Sequence, residues 1–118
     1  MANRLAGEVA LITGAARGMG AAEARLFVQE GASVVVADVL DTEGQRVADE
    51  LNRSNVNRAV YIHLDVTRAS DWNRAVSIAT EKFGRLSILV NNAGILSLAG
   101  VEATTEEEWQ RVVDVNQK

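Results

Sequence analysis

The chain contains no cysteine, no proline and a single histidine, His63. Without cysteine it has neither a disulfide framework nor a thiolate metal site, and one histidine excludes a multi-histidine metal site or a histidine-based triad. The absence of thiols fits a reducing interior. The longest apolar stretches run for only a few residues, as in Val34-Val35-Val36-Ala37. A membrane span needs about 20, so no membrane association is expected. No apolar segment follows Met1-Ala2-Asn3-Arg4, so no secretory signal is read and a cytoplasmic location is expected. The net charge of −4 speaks against a nucleic-acid partner.

What is present is ordinary for a globular protein: 118 residues, 47% of them hydrophobic and 24% charged, enough for one domain with a modest core. Apolar bursts alternate with segments of helical period, the pattern of βαβ units around a parallel sheet. Val9 to Thr13 and Ser33 to Asp38 read as buried strands, apolar on both faces. Between them Met19 to Glu30 reads as a helix closed by Gly31. Thr42, with Gln45 three residues on, predicts the start of a second helix carrying Val47, Ala48 and Leu51. Ala59 to Val66 alternates apolar and polar residues, which predicts a strand at or near the sheet edge. Ser70 predicts a cap for a third helix with Trp72, Ala75, Val76, Ala79 and Phe83 on one stripe, ended by Gly84. Leu86 to Asn91 reads as a fourth strand. Thr105 with Glu108 repeats the capping-box spacing before Trp109, Val112 and Val113. The fold class is therefore α/β, a Rossmann-type doubly wound parallel sheet of about four strands.

The first strand runs into Thr13-Gly14-Ala15-Ala16-Arg17-Gly18-Met19-Gly20 and then directly into a helix. Glycine allows the tight turn, lets the backbone approach a pyrophosphate, and lets helix and strand pack closely. The helix N-terminus adds unpaired N–H groups and partial positive charge for the anion. The competing explanation is a turn rich in glycine for packing alone. A Walker loop is excluded, because no Gly-Lys-Ser/Thr follows.

Asp38 stands at the end of the second strand, eighteen residues beyond Gly20. A carboxylate there can accept hydrogen bonds from the adenosine ribose and repel a 2′-phosphate, which favours NAD over NADP. Arg17 pulls the other way, since a cation in the turn can serve a 2′-phosphate. The carboxylate acts at closer range, so NAD is the expected cofactor. The plainer alternative for Asp38 is a turn residue at a strand end.

Taken together, Thr13-Gly14-x-x-x-Gly18-x-Gly20, Asp38, Asp65-Val66 and Asn91-Asn92-Ala93-Gly94 resemble the short-chain dehydrogenase/reductase family in order and spacing. The resemblance covers essentially the whole chain, residues 1–118, which corresponds to the N-terminal, cofactor-binding part of a single Rossmann-fold domain. It implies cofactor contacts at Gly14, Arg17, Gly18, Met19, Gly20 and Asp38. It further implies that Asp65 and Val66 hold the adenine ring, and that Asn92, Ala93 and Gly94 line the adenosine ribose. Asn116 matches the asparagine of the family's catalytic tetrad. It also lies on the stripe of Trp109, Val112 and Val113, where a buried polar group needs a partner. Around Asp38 and over Tyr61 to Thr67 the chain is similar to bacterial hydroxysteroid dehydrogenases of the 3α/20β type.

The resemblance implies NAD(H)-dependent interconversion of a secondary alcohol and a ketone, with a small-molecule substrate and a homo-oligomeric full-length form. In the family it resembles, that reaction uses a tyrosine acid/base tuned below its usual pKa of about 10, a lysine four residues later and a serine. The chain's one tyrosine, Tyr61, is followed four residues later by Asp65, which would raise the tyrosine pKa. Tyr61 is therefore read as a packing residue, and His63 as a strand residue. Family members are considerably longer, and the isolated chain is expected to be inactive and marginally stable, with an open apolar strand edge. Two alternatives stay open: a non-catalytic NAD(H)-binding module, and a reductase of the oxoacyl-carrier-protein type, against which Asp38 argues.

Overall fold

The computed structural model describes residues 4–54 and 57–92. Strand β1 (Val9–Thr13), helix α1 (Gly18–Gln29), strand β2 (Ser33–Asp38), helix α2 (Asp41–Ser54), strand β3 (Ala59–His63), helix α3 (Ala69–Phe83) and strand β4 (Ile88–Asn91) follow one another along the chain. The four strands form one sheet in the order β3-β2-β1-β4, and every pairing is parallel. The order runs outward from β1 to β3 and then returns to the other side of β1. Doubly wound sheets bind ligands at such a reversal, outside the carboxyl ends of the strands.

Both faces of the sheet are covered, as the apolar character of β1 and β2 requires. Leu11, Val35, Ala37 and Leu89 join Trp72, Ala75 and Ala79 of α3 on one face. Ala10, Ile12, Val34 and Val36 join Ala21, Ala24 and Val28 of α1 and Val47, Ala48 and Leu51 of α2 on the other. Alternate residues of one strand thus feed two cores, because successive side chains point to opposite faces. The expected edge position of β3 is observed.

The boundaries differ from expectation where hydrogen bonds leave the ladder. The third strand stops at His63, three residues before the expected Val66. The Asp65 amide donates to the Asp71 carboxylate at 2.9 Å instead of to a strand. Helix α2 begins at Asp41 and not at a Thr42 cap, and α3 begins at Ala69, so Ser70 lies within its first turn. Helix α1 begins one residue before the expected Met19. Strand β4 starts at Ile88, two residues after the expected Leu86. Just ahead of it, the Ser87 amide donates to the Val9 carbonyl at 2.9 Å and its hydroxyl accepts from the Val9 amide at 3.0 Å. Gly31 and Gly84 take positive φ just past α1 and at the end of α3, as expected of helix-ending glycines. The expected helix after Thr105 lies outside the described residues.

Candidate functional site

The carboxyl ends of the strands bring together Thr13, Asp38, His63 and Asn91, each the last residue of its strand. The glycine turn leaves β1 here. Gly14 and Gly18 adopt φ of +64° and +61°, a region that L side chains rarely occupy. Gly20 is needed for a different reason. A Cβ at this position would lie 2.1 Å from the Gly14 carbonyl oxygen, so the first turn of α1 closes onto the turn only with glycine there.

Asp38 secures the turn from the neighbouring strand. Its Oδ2 accepts from the Ala16 amide at 3.0 Å, and its Oδ1 accepts from the amides of Val39 at 2.7 Å and Leu40 at 3.0 Å. The Ala15 amide donates to the Ala37 carbonyl at 3.2 Å, extending the β1–β2 ladder into the turn. The carboxylate is therefore set in place before any ligand arrives, at the edge of the glycine turn.

Helix α1 offers its N-terminus next to this carboxylate. The amides of Gly18, Met19 and Gly20 have no carbonyl within the helix to bond. The side chain of Arg17, the capping residue, makes no cap hydrogen bond, and the first turn carries no acidic residue. Arg17 and Gly18 are exposed, and Met19 is 72% exposed. The arrangement can hold an anion at the helix end and hydroxyl groups at the carboxylate. These are the phosphate and ribose of a dinucleotide, so the residues present fit that group.

Asp65 and Val66 lie just beyond β3 and are half-buried. The Asp65 carboxylate accepts from the Thr67 hydroxyl at 2.7 Å and the Thr67 amide at 2.9 Å, and these bonds hold it below the usual carboxylate range. The Val66 carbonyl accepts from the Trp72 indole N–H at 2.9 Å, which ties this segment to α3.

Asn92 follows β4 and is exposed. Its amide N–H donates to the Thr13 hydroxyl at 3.0 Å, and its side-chain Nδ2 donates to Glu23 of α1 at 2.6 Å. Ala93, Gly94 and Asn116, also expected at the site, lie outside the described residues.

Sequence reasoning passed over Thr13 and Asn91 as site residues. The buried Thr13 hydroxyl donates to Asn91 Oδ1 at 2.7 Å while accepting from Asn92, so one hydroxyl fixes the end of β4 against β1. The signal was available: a hydroxyl closing an otherwise apolar buried strand needs a partner. Tyr61 also does more than pack. Its hydroxyl lies 2.7 Å from the Asp38 carbonyl and 2.5 Å from Asp41 Oδ1, and His63 Nδ1 lies 2.7 Å from the same Asp41 oxygen. Burial, then the hydrogen bond to Asp41, push Tyr61 well above the ordinary tyrosine range. That direction is opposite to what an acid/base tyrosine needs. The acid chiefly responsible is Asp41, not the Asp65 expected from spacing.

Comparison with known proteins shows the family. A family model described as short chain dehydrogenase matches residues 8–118. The chain is 52% identical over 116 residues to a 3-alpha-(or 20-beta)-hydroxysteroid dehydrogenase of Mycobacterium tuberculosis, covering 98% of this chain and 43% of that protein. It is 44% identical to a trans-4-hydroxycyclohexanecarboxylate dehydrogenase of Sinomonas cyclohexanicum, covering 98% of this chain and 47% of that protein. Among solved structures, a hydroxysteroid dehydrogenase from Escherichia coli superposes with a TM-score of 0.72 at 38% identity, over 77% of this chain and 38% of that one. The chain thus spans a little under half the length of the curated relatives it matches.

Proposed function

The chain belongs to the short-chain dehydrogenase family, and on that premise we propose that residues 1–118 form the N-terminal, cofactor-binding part of an NAD(H)-dependent oxidoreductase. The reaction is interconversion of a secondary alcohol and a ketone, with a hydroxysteroid-like or other small carbonyl substrate. The likeness to the mycobacterial hydroxysteroid dehydrogenase supports that substrate class, and the likeness to a cyclohexanecarboxylate dehydrogenase keeps it open to smaller rings. A homo-oligomeric full-length protein acting in the cytoplasm belongs to the same proposal. Among the described residues no helix is long and apolar enough to cross a membrane.

The observation that carries the cofactor reading is the Asp38 carboxylate, bound to the Ala16 amide of the glycine turn at 3.0 Å. In this proposal Asp38 accepts from the adenosine ribose hydroxyls and excludes a 2′-phosphate. Gly14, Arg17, Gly18, Met19 and Gly20 form the pyrophosphate cradle, with the open N-terminus of α1 as the anion site. Asp65 and Val66 hold the adenine, Asn92, Ala93 and Gly94 line the ribose, and Asn116 serves the proton relay of the catalytic tetrad. When bound, the nicotinamide supplies or takes up the hydride. Within the chain, no lysine stands four residues beyond Tyr61, so Tyr61 is not assigned the proton transfer.

Titration of the intact protein with NAD and with NADP tests the cofactor reading. Asp38→Asn should raise the NAD dissociation constant about tenfold, the scale of one hydrogen bond to a charged group, and narrow the NAD/NADP preference. An unchanged ratio of the two affinities would remove the ribose role. Turnover of secondary alcohols with NAD tests the enzyme reading, and tight NAD binding without turnover would instead favour a non-catalytic NAD(H)-binding module.

A further inference from the structure

We propose that Tyr61 is a positioning residue for the cofactor's adenosine ribose: its ring is seated over Gly44 of α2, and its hydroxyl fixes the Asp38 backbone and with it the direction of the Asp38 carboxylate. The inference rests on the ribose role of Asp38 proposed above.

Two independent observations carry it. The first is the set of bonds converging on Asp38. Its carbonyl accepts from the Tyr61 hydroxyl at 2.7 Å and from the Leu64 amide at 2.9 Å, while its carboxylate accepts from Ala16, Val39 and Leu40. The carbonyl and carboxylate belong to one residue at the point where β2 ends. Holding the carbonyl therefore restricts the backbone rotation that would swing the carboxylate away from the glycine turn. The Tyr61 hydroxyl has a single proton, shared between the Asp38 carbonyl and the Asp41 carboxylate. His63 Nδ1 lies on that same Asp41 oxygen at 2.7 Å and holds Asp41 in place from the end of β3.

The second observation is Gly44. Glycine within a helix is unfavourable relative to alanine, yet Gly44 lies buried inside α2. A Cβ at this position would come within 2.1 Å of the Tyr61 ring. The helix thus forgoes a side chain where the ring lies against it, and the ring's seat determines where the hydroxyl reaches.

The test uses the intact protein in three forms, Tyr61→Phe, Asp38→Asn and the double variant, with NAD and NADP dissociation constants and thermal midpoints measured for each. Phenylalanine keeps the ring on Gly44 and removes only the hydroxyl. The expected result for Tyr61→Phe is an NAD dissociation constant raised about three- to tenfold, the scale of one net hydrogen bond, and a reduced NAD/NADP preference. That loss should largely vanish in the Asp38→Asn background, since two residues acting through one group are non-additive. Equal weakening of both cofactors, additive with Asp38→Asn, would show a purely structural role and overturn the inference. Loss on Asp38→Asn with no change on Tyr61→Phe would overturn it while leaving the ribose reading intact. No change in either single variant would remove the ribose reading and the inference together.

Discussion

Helices α1 and α3 begin alike and are finished differently. Each starts with an arginine in extended conformation, Arg17 or Arg68, whose side chain makes no cap hydrogen bond. In α3 the first turn carries Asp71, only 6% exposed. Its carboxylate accepts from the Asp65 amide at 2.9 Å and lies 3.6 Å from the Arg74 guanidinium. Helix α2 likewise carries Asp41 and Glu43 in its first turn. Helix α1 has no acid there and two glycines, Gly18 and Gly20, at its start. An acidic side chain near a helix N-terminus is stabilising by about 0.3–1 kcal/mol. The helix that goes without it is the one that starts from the glycine turn after β1. The difference separates a helix start that carries its own acid from one that does not, as the anion site proposed above requires.

Gly20→Ala would break the comparison most severely. The added Cβ meets the Gly14 carbonyl, so α1 must shift off the turn. Overpacking of this kind costs about 1–3 kcal/mol, read by urea unfolding, and NAD affinity should fall by more than about tenfold, equivalent to 1.4 kcal/mol. Retained affinity would mean that the closeness of helix and turn serves packing alone.

Asp71→Ala probes the other helix. It leaves the Asp65 amide without its acceptor and should lower stability by about 1–3 kcal/mol, with a smaller effect on cofactor affinity than Gly20→Ala. A larger loss of NAD binding than of stability would show that the start of α3 also belongs to the ligand site.

Met19→Glu gives the smallest effect and the sharpest contrast. It places an acid in the first turn of α1, as α2 and α3 already have. Stability should rise by about 0.3–1 kcal/mol, while NAD binding weakens, and both changes should shrink with added salt. Tighter NAD binding in this variant would contradict an anion site at that terminus.

The alternation of elements, the burial of β1 and β2 on both faces, the edge position of β3 and the glycine turn were all legible in the sequence. Each depends on local periodicity or on a backbone conformation that one residue type permits. The end of β3 was not legible, because the alternation through Leu64, Asp65 and Val66 continues after the backbone bonds have turned toward Asp71. The partner of the Tyr61 hydroxyl was not legible for a related reason. Spacing drew attention to Asp65, four residues on, whereas the chain folds Asp41, twenty residues back, onto its hydroxyl.

By itself, then, the sequence determined the kinds of element, their order and the presence of a glycine turn between β1 and α1, since these follow from neighbours a few positions apart. Only the tertiary structure decided which strand lies beside which. That order put the Asp38 carboxylate on the Ala16 amide across 22 residues and Asn91 on the Thr13 hydroxyl across 78. Such contacts depend on sheet order and register, which are set when two apolar strand faces are buried at once, and no local stretch of chain encodes them alone.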